Sequence, residues 1–306
     1  MRTHTMPTHT MPIHAPLITA EALLAGLPGA DLRILDCRFD LMRPEAGREA
    51  FLAGHIPAAG YLHLDEDLGA KGDATALCGG RHPLPSMART AATFGRHGVA
   101  PRTTVVVYDA HGGMYAARAW WMLKWLGHGP VHVLDGGLAA WQAAGGALEG
   151  GPAVAVDDRG PYPLPAEPGM GWVDAAAVRA RIGRADAVLI DARAPERYRG
   201  EVEPLDPVAG HIPGALNRPF AQNLDASGRF LPPDALRAAF EPLLAGRAPS
   251  EVVHQCGSGV TACHNLLAMT LAGLPGSRLY AGSWSEWCSQ PDRPVARGAS
   301  PDGQTG

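Results

Sequence analysis

The chain has 306 residues, which is long for one domain and enough for two domains that each bury a core of their own. Its formal net charge of -4 gives no electrostatic reason to expect a nucleic acid or an anionic membrane as a partner. The five cysteines, Cys37, Cys78, Cys256, Cys263 and Cys288, show neither a zinc-type spacing nor the density of a disulfide framework. We therefore expect a cytoplasmic protein without a metal centre.

Residues 1–15 are expected to form a disordered tail. The segment Thr-His-Thr-Met-Pro occurs at residues 3–7 and again at 8–12, without an apolar run of the kind that forms the core of a signal peptide. Its histidines offer loose metal ligands, but a solvated extension is the favoured interpretation. The most apolar later region, residues 116–126, is too short to span a membrane and contains Arg118 and Lys124.

The remaining chain carries the same landmarks twice in the same order, which indicates a duplicated domain. The first copy has Asp36, His55, Asp109 and Gly136, and the second has Asp191, His211, Cys256 and Gly282. Successive landmarks are 19, 54 and 27 positions apart in the first copy and 20, 45 and 26 apart in the second. Each histidine belongs to a Gly-His-Ile-Pro segment, and a tryptophan, Trp141 or Trp287, follows the last landmark.

Both copies alternate short apolar strands with helical stretches, such as residues 116–126 and 234–244. This alternation is typical of an α/β fold in which helices flank a parallel sheet. We predict a first domain at residues 16–150 and a second at 171–292. They are joined by a linker rich in Gly and Pro at 151–170, and residues 293–306 form a tail that is either an ordered wrap or loose.

The most informative stretch surrounds Cys256. The β-branched pair Val252-Val253 predicts a buried strand, and the apolar residues beyond Thr261 predict a helix. Gly257 and Gly259 allow backbone N–H groups to converge between them, and together with the first turn of the helix these donors favour a thiolate. The alternative is a small buried apolar residue, but core packing does not call for neighbouring glycines.

Ligands of open parallel sheets bind beyond the carboxyl ends of the strands, where both Asp109 and Cys256 are expected. Only the second copy has a thiol at this point. The first has a carboxylate, in Asp109-Ala110-His111-Gly112-Gly113. We therefore predict that the second domain is catalytic and that the first is inactive and supports it.

With these features the chain resembles the tandem-domain sulfurtransferases of the rhodanese superfamily, over about residues 17–292. The resemblance is carried by both Gly-His-Ile-Pro segments and by Tyr108-Asp109, Trp120-Trp121-Met122 and Leu134-Asp135-Gly136-Gly137. The loop from Cys256 to Thr261 is similar to that of 3-mercaptopyruvate sulfurtransferases, whereas thiosulfate-preferring members carry basic residues just after the cysteine.

The resemblance implies two rhodanese-like domains and a sulfur transfer that needs no cofactor. Cys256 would take a sulfane sulfur from a small donor, with 3-mercaptopyruvate favoured, become a persulfide, and pass the sulfur to cyanide, a small thiol or a protein thiol. A thiosulfate:cyanide sulfurtransferase is the alternative. A more remote one is a non-catalytic sulfur carrier or interaction module, which fits the first domain better than the second.

The resemblance also implies roles for individual residues. Ser258 would help to move a proton to the departing pyruvate enolate, although a local backbone hydrogen bond is an equal alternative. Arg197 would bind the carboxylate of the substrate. Arg193 is a second candidate, with an ion pair to Asp191 as the alternative. The backbone of the active loop, with Gly257, Gly259, Val260 and Thr261, would surround the substrate.

Two relay candidates are weaker. His55 matches the proposed relay histidine and would approach the substrate from the first domain, but the equivalent His211 favours a structural role for both. Glu45 is a candidate for the relay carboxylate. The chain also departs from the family pattern, because Leu205 stands where mercaptopyruvate enzymes usually have a second arginine.

A phosphatase or arsenate reductase would need an arginine six positions after the cysteine, but that position is Ala262. Among the other residues, we expect Cys263 to be buried and Trp120, Trp121 and Trp125 to pack in the core or between the domains. Trp284 is expected to form a wall of the cleft.

Overall fold

The computed structural model describes residues 15–26 and 31–303. The histidine-rich repeat and all of the expected N-terminal tail except Ala15 lie outside these ranges. Within them, no helix combines the length and apolar character needed to cross a membrane.

The first domain is an α/β unit in which short strands and helices alternate. Its elements are β1 (Leu17–Ile18), α1 (Ala20–Gly26), β2 (Leu32–Asp36), α2 (Ala46–Ala53), β3 (Ala59–Tyr61), α3 (Met87–Arg96), β4 (Thr104–Tyr108), α4 (Ala116–Trp125), β5 (Val131–Leu134) and α5 (Gly137–Ala143). All strand pairs are parallel, in the order β1-β5-β4-β2-β3.

The second domain repeats this arrangement. Its elements are β6 (Trp172–Val173), α6 (Ala175–Arg179), β7 (Val188–Asp191), α7 (Pro195–Arg199), β8 (Ala215–Asn217), α8 (Pro233–Leu244), β9 (Val252–Gln255), α9 (Thr261–Leu271), β10 (Arg278–Tyr280) and α10 (Ser283–Trp287), with short 3-10 turns at Phe220–Asn223 and Pro249–Glu251. The parallel order β6-β10-β9-β7-β8 matches that of the first sheet strand for strand. The predicted duplication and fold class are confirmed.

Alternate residues of each central strand face different cores. In β4, Val105 and Val107 belong to a large core that continues through both domains, whereas Val106 and Tyr108 belong to a smaller one under α1, α2 and α5. The two-residue period of a strand therefore gives each sheet two apolar faces that helices cover.

The shared core joins the two domains. Helix α4 of the first domain packs against α9 of the second. The side chains of Trp120, Trp121 and Trp125 are buried in this core, with the rings of Trp121 and Trp125 stacked 5.7 Å apart. The predicted packing role of these tryptophans is confirmed, and because the core is continuous the two domains form one packed body.

The segment 151–170, predicted as a linker, forms neither helix nor strand but lies against the first domain. Tyr162 is buried and donates its N–H to the carbonyl of Ala91 in α3 at 2.9 Å. Near its end, Gly169 donates to the carbonyl of Trp125 at 3.1 Å.

Residues 293–303 are an ordered part of the second domain. Ala296 pairs with His211 in an antiparallel bridge, and Gly214 donates to the carbonyl of Pro301 at 2.8 Å. Of the two alternatives for this tail, the ordered wrap is observed, and a loose tail from residue 293 is wrong over the described residues.

The strand end that corresponds to Cys256 is occupied in the first domain by the Asp109 carboxylate. Oδ1 accepts from the N–H groups of His111 and Gly113 at 2.7 and 3.0 Å, and Oδ2 accepts from those of Tyr115 and Ala116 at 2.8 and 2.9 Å. This ring of donors is the kind of backbone nest that binds anions, and here the protein's own carboxylate fills it.

Asp109→Ala should lower the free energy of unfolding by about 3 kcal/mol, because four buried or half-buried N–H groups lose their acceptor. Urea unfolding followed by tryptophan fluorescence measures this loss. Asp225→Ala is the matched control, since Asp225 accepts from the N–H groups of Ser227 and Arg229 in an exposed turn. Equal losses for the two variants would contradict the proposed role of burial.

Candidate active site

A cleft of about 190 Å³ lies at the carboxyl end of the second sheet, with Cys256 in its wall. Its lining comes from both domains. The first domain contributes Leu41, Arg81, Met114 and Tyr115, and the second contributes Ala192, Arg193, Ala194, Arg197, Leu205, Phe220, Cys256, Gly257, Ser258, Val260 and Thr261. The predicted loop residues therefore surround the cleft, except Gly259, which lies behind Cys256.

Cys256 directly follows β9, and its thiol is held by the loop that it begins. Its Sγ accepts the N–H of Gly259 at 3.1 Å. Gly259 has a φ of +78°, and a Cβ at this position would lie 2.4 Å from the carbonyl oxygen of Ala281. A glycine is therefore required for the turn that aims this N–H at the sulfur. The predicted strand, loop and helix around Cys256 are confirmed.

A strained turn supports the loop from below. Ser283 has a φ of +53°, a conformation in which the first domain has Gly137. The Ser283 hydroxyl accepts from the N–H of Cys256 at 3.1 Å and donates to the carbonyl of Tyr280 at 2.9 Å. These two bonds, together with that from the Trp284 N–H to the Cys256 carbonyl at 2.9 Å, fix the backbone at the thiol.

A chain of three polar side chains leads from the cleft into the first domain. Ser258 Oγ lies 2.7 Å from His82 Nδ1, and His82 Nε2 lies 3.3 Å from Asp65 Oδ1. Burial lowers the pKa of His82, and the hydrogen bond from His82 lowers the pKa of Asp65. A neutral imidazole that donates from Nε2 to the Asp65 carboxylate leaves Nδ1 to accept the Ser258 hydroxyl proton.

The sequence analysis missed His82 and Asp65. Both lie in the irregular segment between β3 and α3, which has no counterpart of equal length in the second domain. The signal was the interval from the Gly-His-Ile-Pro histidine to the strand end, which is 54 positions in the first copy and 45 in the second. An insertion in a domain without the thiol indicates that its residues serve the other domain.

The structure does not place His55 at the cleft, which corrects its expected role in substrate binding. His55 is fully buried, its ring stacks on Phe51 at 3.8 Å, and its Nδ1 lies 2.8 Å from the Phe51 carbonyl. His211 stacks on Tyr198 in the same way, at 3.9 Å. The structural alternative for Gly-His-Ile-Pro is therefore the observed one.

Glu45 is also wrong as the relay carboxylate. Its exposed side chain lies near His63 and forms an ion pair with Arg48, and Arg48 reaches on to Glu66. Glu45, His63 and Glu66 have a spacing that a metal ion could use. However, His63 Nδ1 accepts the N–H of Asp65, so the proton of the neutral ring is on Nε2, which faces Glu45 and has no free lone pair for a metal.

The two predicted arginines have different environments. Arg193 is buried, with its guanidinium bonded to the Asp191 carboxylate, to Glu203 and to the carbonyl of Gly210. These bonds use each of its nitrogens, so Arg193 braces the strand end, as in the alternative, and does not bind substrate. Arg197 bonds to Glu203 through Nε and Nη2 and extends Nη1 towards Gly257.

Other expectations concern residues around the loop. Trp284 is wrong as a cleft wall, because it is fully buried, donates to the Val208 carbonyl and lies under the guanidinium of Arg193. Cys263 is buried as predicted, and burial raises the pKa of its thiol to about 12. Ala262 is buried in the turn where phosphatases would need an arginine.

The comparisons with known proteins agree with this geometry. The family model of the rhodanese-like domain matches residues 19–144 and again 174–290. A probable 3-mercaptopyruvate sulfurtransferase of Pseudomonas aeruginosa is 50% identical over 92% of this chain and 98% of its own length. A putative thiosulfate sulfurtransferase of Mycobacterium tuberculosis is 41% identical over 93% and 98%.

Among solved structures, the 3-mercaptopyruvate sulfotransferase SseA of Escherichia coli aligns with a TM-score of 0.72 and 32% identity. The alignment covers 89% of this chain and 100% of that one. The family model covers both domains, and these relatives match over almost their full lengths. The chain therefore belongs to the family of sulfurtransferases with two rhodanese domains.

Proposed function

We propose that this sulfurtransferase takes sulfur from 3-mercaptopyruvate and carries it as a persulfide on Cys256. The observation that favours this donor is the Ser258, His82 and Asp65 chain at the cleft. When the carbon–sulfur bond of 3-mercaptopyruvate breaks, the pyruvate enolate must take up a proton at carbon. Thiosulfate instead releases sulfite, which needs no such proton, so a relay serves only the first donor.

In the first half-reaction the Cys256 thiolate attacks the sulfur of the donor. A sulfur–sulfur bond forms, the carbon–sulfur bond breaks, and the electron pair of that bond passes to the enolate. The thiol proton of the donor moves through Ser258 and His82 to the methylene carbon, which gives pyruvate and an anionic persulfide. The N–H of Gly259, which contacts the Cys256 sulfur, offsets its negative charge.

In the second half-reaction a cyanide ion or a thiolate attacks the outer sulfur of the persulfide. The sulfur–sulfur bond breaks, its electron pair returns to Cys256, and the acceptor leaves as thiocyanate or as a persulfide. The acceptor can be a small molecule or a protein thiol. The expected cytoplasmic location remains a prediction, supported by the need to keep Cys256 reduced between turnovers.

The first domain is inactive in this proposal. Asp109 lies where a second thiol would be needed, and its carboxylate already occupies the surrounding N–H groups. The first domain contributes instead through His82 and Asp65, which complete the relay, and the cleft takes part of its lining from it.

We expect kcat/KM to be at least about tenfold higher for 3-mercaptopyruvate than for thiosulfate, with cyanide as acceptor. Thiocyanate formation and, for 3-mercaptopyruvate, pyruvate release measure the two reactions. Cys256→Ser should abolish both, whereas Cys37→Ala, which alters a buried thiol of the first domain, should leave them intact. A preference for thiosulfate would contradict the donor assignment, and activity in Cys256→Ser would overturn the persulfide.

Ser258→Ala should lower kcat for 3-mercaptopyruvate by about 100-fold, because the enolate loses its proton path. Thiosulfate:cyanide turnover should stay within about twofold of wild type, since no carbon is protonated there. Steady-state kinetics with both donors give the comparison. Equal losses for the two donors would mean that Ser258 shapes the loop and does not relay a proton.

The relay predicts a specific pH dependence. Burial lowers the pKa of His82 from its ordinary 6.5, so the neutral imidazole persists at that pH and activity with 3-mercaptopyruvate falls only at lower pH. The Asp65 carboxylate favours the protonated ring, so Asp65→Asn should move the acidic limb of kcat to still lower pH while reducing kcat. A limb that moves upward would contradict the assignment.

A further inference from the structure

Two guanidinium groups converge over the active loop from opposite domains. Gly257 has no side chain, and a Cβ at its position would lie 3.1 Å from Arg81 Nη2 and 3.4 Å from Arg197 Nη1. Arg81 belongs to the first domain and Arg197 to α7 of the second. Both line the cleft next to Cys256, and their side chains keep 21% and 17% of their surface exposed.

Acidic residues behind the two arginines fix their orientation. Asp206 accepts from Arg81 Nη1 at 2.7 Å and from Arg197 Nη2 at 3.3 Å, and so bridges the two domains. Glu203 accepts from Arg197 Nη2 at 2.6 Å. Among the described residues, Arg197 Nη1 has no hydrogen-bond acceptor, and Arg81 Nη2 has only a 3.5 Å contact to Asp206. Each arginine therefore keeps one donor that faces the cleft.

The first-domain segment that carries Arg81 is itself docked on the second domain. Gly79 donates its N–H to Glu286 at 2.9 Å, and Arg81 donates its N–H to the hydroxyl of Ser285 at 3.0 Å. Ser285 in turn donates its N–H to the carbonyl of Gly257 at 2.9 Å. The position of Arg81 relative to the active loop is thus set by backbone bonds and does not depend on its own flexible side chain.

We propose that Arg81 and Arg197 together bind the carboxylate of the sulfur donor, so that the first domain supplies half of the anion site. This inference rests on the proposed function. In the second domain the remaining cleft arginine, Arg193, is fully engaged, and Leu205 presents an aliphatic side chain to the same cleft. Two donors from different arginines match the two oxygens of a carboxylate.

The site also has a suitable position for chemistry. A carboxylate bound over Gly257 lies beside the residue that provides the nucleophile, and 3-mercaptopyruvate has only three carbons between its carboxylate and its sulfur end. Binding at this point therefore holds the sulfur near Cys256 and the methylene carbon within the cleft that Ser258 lines.

Arg81→Gln should raise KM for 3-mercaptopyruvate by about 10- to 100-fold, because one charged hydrogen bond to the carboxylate is lost. The kcat should stay within about threefold, and the inhibition constant of the product pyruvate should rise with KM. Arg179→Gln is the matched control, since Arg179 forms a 2.7 Å ion pair with Asp292 outside the cleft. It should leave both constants unchanged.

A second substitution separates substrate binding from a structural role of Arg81. Leu205→Arg returns a guanidinium to the same cleft, so in the Arg81→Gln background it should restore at least part of the lost affinity. Arg81→Lys, which keeps the charge, should give an intermediate KM and covers the case in which Arg81→Gln fails to fold.

The outcomes distinguish this inference from the proposed function. If the wild-type protein does not transfer sulfur from 3-mercaptopyruvate, the proposed function fails. If it does but Arg81→Gln leaves KM and pyruvate inhibition unchanged, only the role of Arg81 is overturned. A fall in kcat alone, without rescue by Leu205→Arg, also overturns it, because Arg81 would then act by holding the segment that carries His82.

Discussion

Arg118 lies fully buried between the two domains and connects them at the active loop. Its Nε donates to the carbonyl of Leu68 in the first domain, and its Nη1 donates to the carbonyl of Gly259 in the second at 3.2 Å. A buried guanidinium is costly unless it is hydrogen-bonded, so the two carbonyls have little freedom. The same Gly259 residue donates its N–H to the Cys256 sulfur. The first domain thus helps to orient the group that stabilises the charge on the sulfur.

The division of work between the two domains follows from this packing. Each sheet offers a turn at its carboxyl edge, but only the second has a thiol there, and the first has neutralised its own nest with Asp109. The first domain instead sends an irregular segment across to the second, and this segment carries Arg81 and His82. In our proposals the nucleophile comes from one copy of the duplicated domain, and the proton relay and one substrate cation come from the other.

The electrostatics of the cleft depend on groups that are paired on one side only. Glu203 and Asp206 each bind arginines from behind, which holds the guanidinium planes and leaves their other edges facing the cleft. Arg193, paired on every nitrogen, shows the contrasting case of a purely structural cation. His82 follows the same logic, because Asp65 fixes one ring nitrogen and leaves the other for Ser258. Orientation by one partner makes the opposite edge available for chemistry.

The sequence alone determined the duplicated parallel α/β fold, the loop around Cys256 and the contrast between Cys256 and Asp109. These are local features, set by strand and helix periodicity and by glycines that a tight turn requires. It could not assign Asp65, Arg81 and His82, because they lie far from Cys256 in the chain, in a segment without regular periodicity, and only the packing of one domain on the other brings them to the cleft. For the same reason His55, Glu45 and Trp284 had the right residue types but the wrong locations. The tertiary structure decided which polar side chains have a free edge, since burial and pairing depend on neighbours that the sequence does not order.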